Sequence, residues 1–324
     1  MTGNDISRHF SGESTTDDVL AGLDLSGRHY LVTGSSGGLG LETCRALAAH
    51  GASVTMAARD DTKNASARDS IRTSIPDADL TLLRLDLGSL DSVYGAAQEF
   101  LARATPLHGL ILNAGIMATP FSRTVDGFES QFGVDHLGHF ALAWHLLPRL
   151  AESAPARVVV LSSAGHRMGD VDLDDVNFEG RAYEPLLAYG AAKTCNVLHA
   201  VAIDHLYRDD GVRAFAVHPG GIHTELGRYM TPEVISSLMS RIGEQGDTFR
   251  WKSIPQGAAT SVWAATAPEL ENRGGEYCED CAVSPVLADG EAPPVNGVGV
   301  LARAVDTQRA LDLWNLSLRV IGSA

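Results

Sequence analysis

Short apolar runs recur along the chain, separated by stretches with helical spacing. Tyr30–Val32, Ser53–Ala58, Leu80–Leu85, Leu110–Leu112, Val158–Leu161 and Arg213–Val217 are continuous rather than alternating. That pattern predicts strands covered on both faces, as in a parallel sheet clad by helices. Helices are expected over Leu41–His50, over Phe128–Leu147, from Tyr189 to about Leu206, and over Arg303–Arg319, the last amphipathic. Residues 1–27 read as an N-terminal surface appendage with one short helix. Thr16, Asp17 and Asp18 mark its start, because side-chain oxygens and negative charge suit free N–H groups there. From residue 28 to 324 neither a linker nor a 20–50-residue repeat divides the chain, so one α/β doubly wound domain is expected. Two segments break the rhythm: 166–185, acidic and loop-like, and 224–255, which has helix-forming pieces such as Pro232–Ile242 but few strand signals. The stretch 289–300, rich in Pro and Gly, reads as an exposed loop.

Composition narrows the function. Of 324 residues, 44% are hydrophobic and 20% charged, an ordinary balance for a globular chain with a sizeable core. The net charge of −15 argues against nucleic acid as a partner, since phosphate backbones need a cationic face. It equally disfavours anionic membranes. No apolar run approaches the roughly 18 residues of a membrane span, and Met1–Asp18 is polar, without the apolar region of a secretory signal. The expectation is a cytoplasmic protein with no membrane anchor. Cys44 and Cys195 stand alone, and Cys278-x-x-Cys281 has no second pair of ligands, so no metal site is expected.

Thr33-Gly34-Ser35-Ser36-Gly37-Gly38-Leu39-Gly40 lies directly after the first strand and directly before a helix. Glycines permit the tight turn and close backbone approach that a pyrophosphate needs, and the helix N-terminus offers free N–H groups and positive dipole. In that context the turn predicts a Rossmann-type dinucleotide site. The second strand ends in Ala57-Ala58-Arg59-Asp60, roughly 20 residues on. A cation there accommodates a 2′-phosphate, so Arg59 favours NADP over NAD; the alternative has Arg59 solvated and Asp60 on the ribose. Further along, Tyr189-Gly190-Ala191-Ala192-Lys193 places a phenol and an ammonium at i and i+4, on one helix face. The ammonium favours phenolate and fits the tyrosine for general acid/base work.

Taken with Asn113-Ala114-Gly115 and Ser162-Ser163 at two strand ends, the ordered motifs resemble the short-chain dehydrogenase/reductase family over nearly the whole chain from Leu25. The resemblance implies that Tyr189 exchanges a proton with the substrate oxygen and that Ser163 hydrogen-bonds that oxygen. Lys193 would hold the nicotinamide ribose and depress the tyrosine pKa. Gly34, Ser36, Gly38, Leu39 and Gly40 would cradle the pyrophosphate. Asp86 with Leu87 would meet the adenine, Asn113 and Gly115 would line the groove, and Pro219, Gly220, Ile222 and Thr224 would pin the carboxamide. Asp135 departs from the family, which has asparagine there, and puts a carboxylate near Lys193. Within the family, His136-Leu137-Gly138-His139-Phe140, the long interval from Ser163 to Tyr189, Tyr277…Asp280-Cys281 and Leu313-Trp314-Asn315-Leu316-Ser317 are similar to the retinol-dehydrogenase-like or hydroxysteroid-dehydrogenase-like branch.

That branch implies an NAD(P)-dependent oxidoreductase acting on a lipophilic alcohol or ketone, with a steroid-like substrate favoured. The segment 224–255 would be the substrate lid, with Tyr229, Met230, Met239, Phe249 and Trp251 facing either substrate or helix packing. Helices 128–147 and 189–206 are apolar all round, and the resemblance pairs them across a dimer axis, so a homodimer or homotetramer is expected. His136 and His139 read as packing rather than metal ligands. Other readings fit less of the chain. A catalytically idle nucleotide-binding regulator has no need of Ser163, Tyr189 and Lys193 together, and a Ser–Lys hydrolase leaves Tyr189 unexplained. An epimerase would carry a larger C-terminal domain. A reductase of a polyketide, retinoid or aromatic carbonyl is the variant nearest to the favoured reading.

Overall fold

The computed structural model describes residues 10–232, 234–236, 240, 250–288 and 298–322. Six strands follow the expected runs within one or two residues: β1 (His29–Thr33), β2 (Ser53–Ala58), β3 (Leu80–Arg84), β4 (Gly109–Leu112), β5 (Ala156–Leu161) and β6 (Val212–His218). A short pair, β7 (Gly221–Ile222) and β8 (Trp251–Lys252), stands apart, and β9 (Glu276–Glu279) and β10 (Ala282–Val283) complete the main sheet. The order across that sheet is β10-β9-β6-β5-β4-β1-β2-β3, parallel throughout except for β10. The central strands are buried along almost their whole length, which is why their sequences are apolar at every position.

Helices clad both faces. On one lie α1 (Thr16–Leu20), α2 (Gly38–Ala49), α3 (Asp61–Ser74) and α7 (Ile254–Thr266). The other carries α4 (Leu90–Ala102), α5 (Gly138–Glu152), α6 (Pro185–Tyr207) and α8 (Thr307–Val320). Their starts are set by side chains that accept from orphan N–H groups: Asp60 for α3, Ser89 for α4, Ser253 with Gln256 for α7 and Asp306 for α8. Helix α2 differs. Its N-cap is Gly37, with no side-chain cap, so its first N–H groups stay available to an anion.

Three elements depart from the sequence reading. Residues 10–27 are not a surface appendage: Val19, Leu20 and Leu25 are buried, α1 packs on α2 and α7, and Asp17 pairs with Arg45 at 2.8 Å. These apolar positions are too few to show helical periodicity by themselves. The helix expected from Phe128 begins as a π-turn at Phe132–Leu137 before becoming α5. The last helix starts at Thr307 rather than Arg303, because Asp306 is its cap. Of the expected lid, Glu225–Tyr229 forms a short 3-10 turn, while Met239 and Phe249 lie outside the described residues, as does most of 289–300.

Chain order reverses between β1 and β4, so their C-terminal ends splay helices to opposite faces and open a crevice. That crevice holds the site.

Candidate active site

The glycine turn leaves β1 by a hydrogen bond from Gly34 N–H to Ala57 O at 2.8 Å. Gly34 has φ +70°, and a Cβ there would lie 2.9 Å from Ala114 Cα. A Cβ on Gly40 would run into Gly34 O and approach Asn113 Nδ2 at 2.6 Å, so α2 can close onto β1 only with glycine at both places. Ser35 is buried and donates to Asn64 Oδ1 at 2.9 Å, while Asn64 donates to Met56 O at 2.8 Å. This ties the turn to β2 and α3. Asn64 was not anticipated; an amide in the middle of a polar surface helix gives no signal by itself.

Ser36, Gly38, Leu39, Gly40, Arg59, Asp86, Leu87, Asn113, Gly115, Pro219, Gly220, Ile222 and Thr224 all line one cleft with Ser163, Tyr189 and Lys193. The residues that the sequence reading named at six strand ends thus come together in one cleft. Two roles differ in detail. Asn113 Nδ2 donates to Thr33 O at 2.8 Å, so it knits the β1 and β4 ends together as well as lining the groove. Asp60 accepts from Lys63 N–H at 3.0 Å as the cap of α3. Arg59 and Lys63 both line the cleft beside it and both are exposed. Lys63 was missed because its nearness to Arg59 depends on where α3 starts. The cleft measures about 2580 Å³. Single-ligand pockets run to about 1,000 Å³, so there is room for a dinucleotide and a second molecule together.

At its floor, Tyr189 and Lys193 project from the first turns of α6, with Lys193 Nζ 5.4 Å from the centre of the phenol ring. Ser163 lowers the pKa of the phenol and also caps the following turn, accepting from Gly165 N–H at 3.0 Å. Its neighbour Ser162 instead donates to Lys193 O at 2.7 Å and holds α6 to β5. Asp135, fully buried in the π-turn, accepts from Ile116 N–H at 2.8 Å and lies 3.0 Å from Lys193 Nζ. Its carbonyl is held separately. Thr33 Oγ1 accepts from the N–H groups of Asn113 and Ala114, at 2.9 and 3.0 Å, so its own proton goes to His139 Nε2 at 2.8 Å. His139 Nδ1–H then donates to Asp135 O at 3.0 Å. Burial pushes the His139 pKa down to about 3, which keeps this ring neutral. His139 is thus packing, as expected, with a defined tautomer.

Burial raises the Tyr189 pKa above its ordinary value; Lys193 and Ser163 act against it, and Asp135 adds to it. The expected lysine effect is therefore present but outweighed. Burial would strip Lys193 of its proton, yet the facing Asp135 and Tyr189 hold its pKa above an ordinary lysine's. Burial likewise raises Asp135, against Lys193 and the Ile116 N–H. A buried ammonium with its counter-carboxylate is the arrangement these directions support.

Residues 28–234 match the family described as short chain dehydrogenase. The chain belongs to that family. It is 43% identical over 316 residues to a short-chain dehydrogenase/reductase, prx1, of Penicillium roqueforti, covering 95% of this chain and 90% of that one. It is 38% identical over 322 residues to retinol dehydrogenase 12 of Mus musculus, covering 99% and 94%. A crystal structure of an uncharacterized protein from Mycobacterium paratuberculosis superposes with a TM-score of 0.70 at 33% identity, covering 94% and 97%. As a short-chain dehydrogenase of the retinol-dehydrogenase-like branch, this protein is an oxidoreductase that uses NAD(P) on CH–OH groups.

In this family member the Asp135 carboxylate faces Lys193 Nζ at 3.0 Å. The Asp135→Asn variant keeps the Ile116 contact and loses only the charge. Asp135 raises the Tyr189 pKa, so removing it lowers that pKa, and the limb of the pH–rate profile set by Tyr189 moves to lower pH. The variant is expected to stay active with that shift; complete loss of activity would contradict the assignment.

Proposed function

We propose that the protein interconverts a hydroxyl and a carbonyl on a lipophilic substrate, a steroid-like secondary alcohol or ketone being the favoured class, with NADP as the preferred cofactor. The observation that carries this reading is the meeting of Ser163, Tyr189 and Lys193 at the floor of a cleft large enough for both reactants. The cofactor, when bound, supplies or takes the hydride. Glycines 37 and 38 leave open space in the cleft, and the uncapped start of α2 the N–H groups, that a pyrophosphate fits.

The protein's own groups handle orientation and protons. Tyr189 gives its phenolic proton to the carbonyl oxygen in reduction and takes the hydroxyl proton in oxidation. Ser163 donates to the same oxygen and fixes its position. Lys193, charged beside the phenol, stabilises the phenolate that reduction leaves. Support for a lipophilic substrate comes from Met117, Leu186, Leu226, Tyr229, Met230 and Trp251 on the substrate side. Support for NADP comes from Arg59 and Lys63, two exposed cations at the end of β2, with Asp60 turned to capping α3.

Absorbance at 340 nm tests both parts, using NADPH or NADH with a panel of keto-steroids, retinals and aromatic carbonyls. Turnover that disappears in Tyr189→Phe is the expected result; turnover that survives that change would contradict the assigned acid. The Arg59→Ala/Lys63→Ala variant should bind NADPH at least about tenfold more weakly, each charged hydrogen bond lost being worth about 1.5–3 kcal/mol. Its NADH affinity should not change. Equal loss for both cofactors would rule out 2′-phosphate recognition by this pair.

A further inference from the structure

We propose that Lys252, held by Asp280, is a positioning residue for the nicotinamide end of the cofactor, an inference that rests on the function proposed above. Hydride must pass to a carbon held beside Tyr189, so the reacting end of the dinucleotide lies there, where Pro219, Gly220 and Ile222 follow β6 along the cleft wall. Gly220 turns that wall with φ +97°, in the region that favours glycine. A Cβ on it would lie 2.8 Å from Lys252 Cδ and 3.3 Å from Lys252 Nζ, so the lysine stem runs against Gly220. Strand β8 brings the lysine there by pairing parallel with β7, Ile222 opposite Lys252. Successive strand side chains face opposite ways, and Trp251 lines the cleft, so Lys252 supports the wall from its far side.

The ammonium donates to Asp280 Oδ1, in the two-residue turn between β9 and β10. Both turn residues are left-handed, Asp280 at φ +54° and Cys281 at φ +56°. Such a turn takes aspartate and then normally glycine, so the cysteine here is strained. Thr260 of α7 holds it in place, accepting from Cys281 N–H at 3.2 Å. Gly12 closes on the carboxylate as well, since a Cβ there would lie 2.8 Å from Asp280 Oδ1. The lysine side chain, only 12% exposed, thus has a fixed counter-charge. Helix α7 does not need that lysine, being capped by Ser253 and Gln256. Together β8 and the start of α7 back three residues of the cleft wall: Gly220 against Lys252, and Ile222 and Leu39 against Gly257. A Cβ on Gly257 would meet Ile222 Cγ1 at 2.6 Å and Leu39 Cδ2 at 2.9 Å.

Cofactor binding, measured without any substrate, tests this role. NADPH is titrated by its own fluorescence, and 2′,5′-ADP, the adenosine half alone, by competition against it. In Lys252→Met and in Asp280→Asn, NADPH is expected to bind about tenfold more weakly, and 2′,5′-ADP to change by less than about twofold. The combined variant should be no weaker than either single one, because both remove the same pair. Equal weakening of both ligands would mean a general loosening of the fold, and unchanged NADPH binding would mean that the pair holds nothing at that end; either overturns the proposal. Should NADH bind more tightly than NADPH, the cofactor preference proposed above fails, and the Lys252 comparison is then read with NADH against 5′-ADP. Hydrogen exchange on the unaltered chain gives a reading that does not depend on the variants' folding. Amides of 220–222 and 251–252 should gain protection with NADPH and not with 2′,5′-ADP. The same protection from both, or from neither, contradicts the proposal.

Discussion

A carboxylate and an ammonium face each other at 3.0 Å in the interior of this protein, and much of the site is built to keep them together. Side-chain exposures of 0% for Asp135 and 5% for Lys193 leave water almost no part in solvating either charge. Such a pair is tolerable only when geometry is fixed and remaining lone pairs are filled. The Ile116 N–H fills one on Asp135, and the Thr33–His139 chain anchors the π-turn backbone to the ends of β1 and β4. Lys193 is then held beside Tyr189, where its charge is useful.

The same strand ends support the cofactor side. Thr33 is the last residue of β1, directly before Gly34, and its hydroxyl receives both Asn113 and Ala114. One buried side chain thus couples the glycine turn, the β4 end and, through His139, the π-turn that carries Asp135. Packing at that junction is tight enough that Gly34 and Gly40 admit no side chain. Beyond it, α8 closes the outer face of α6 with Trp314, and α1 closes the far side of α2 and α7. The site is rigid where charges and protons are placed. One side of the cleft is bounded by the short turn Glu225–Tyr229 and by Trp251, 52% exposed at the rim.

Much of this could be read from residue order. Buried parallel strands write themselves as uninterrupted apolar runs, so β1 to β6 and their sequence of motifs were legible, as were Tyr189, Lys193, Ser163 and the glycine turn. What could not be read depends on contacts between distant segments. A π-turn has no periodicity that separates it from an α-helix, so the 132–137 turn was hidden inside an expected helix. Lys63 lines the same cleft as Arg59, where Asp60 caps the start of α3. The net effect on Tyr189 required knowing how deeply α6 is buried, since burial outweighs the lysine. The amphipathic pattern of α8 announced a helix but not that it would cover α6.

A double-mutant cycle on folding stability tests the buried pair most directly. Urea unfolding would be measured for Lys193→Met, for Asp135→Leu and for the two combined. Lys193→Met should cost about 3–5 kcal/mol, because it leaves Asp135 as an uncompensated buried charge. The combined variant, with an apolar pair in place of the ionic one, should recover most of that loss. Losses that simply add would mean that Asp135 and Lys193 do not share a proton-bearing, charge-balanced site, and would contradict the central role given to them here.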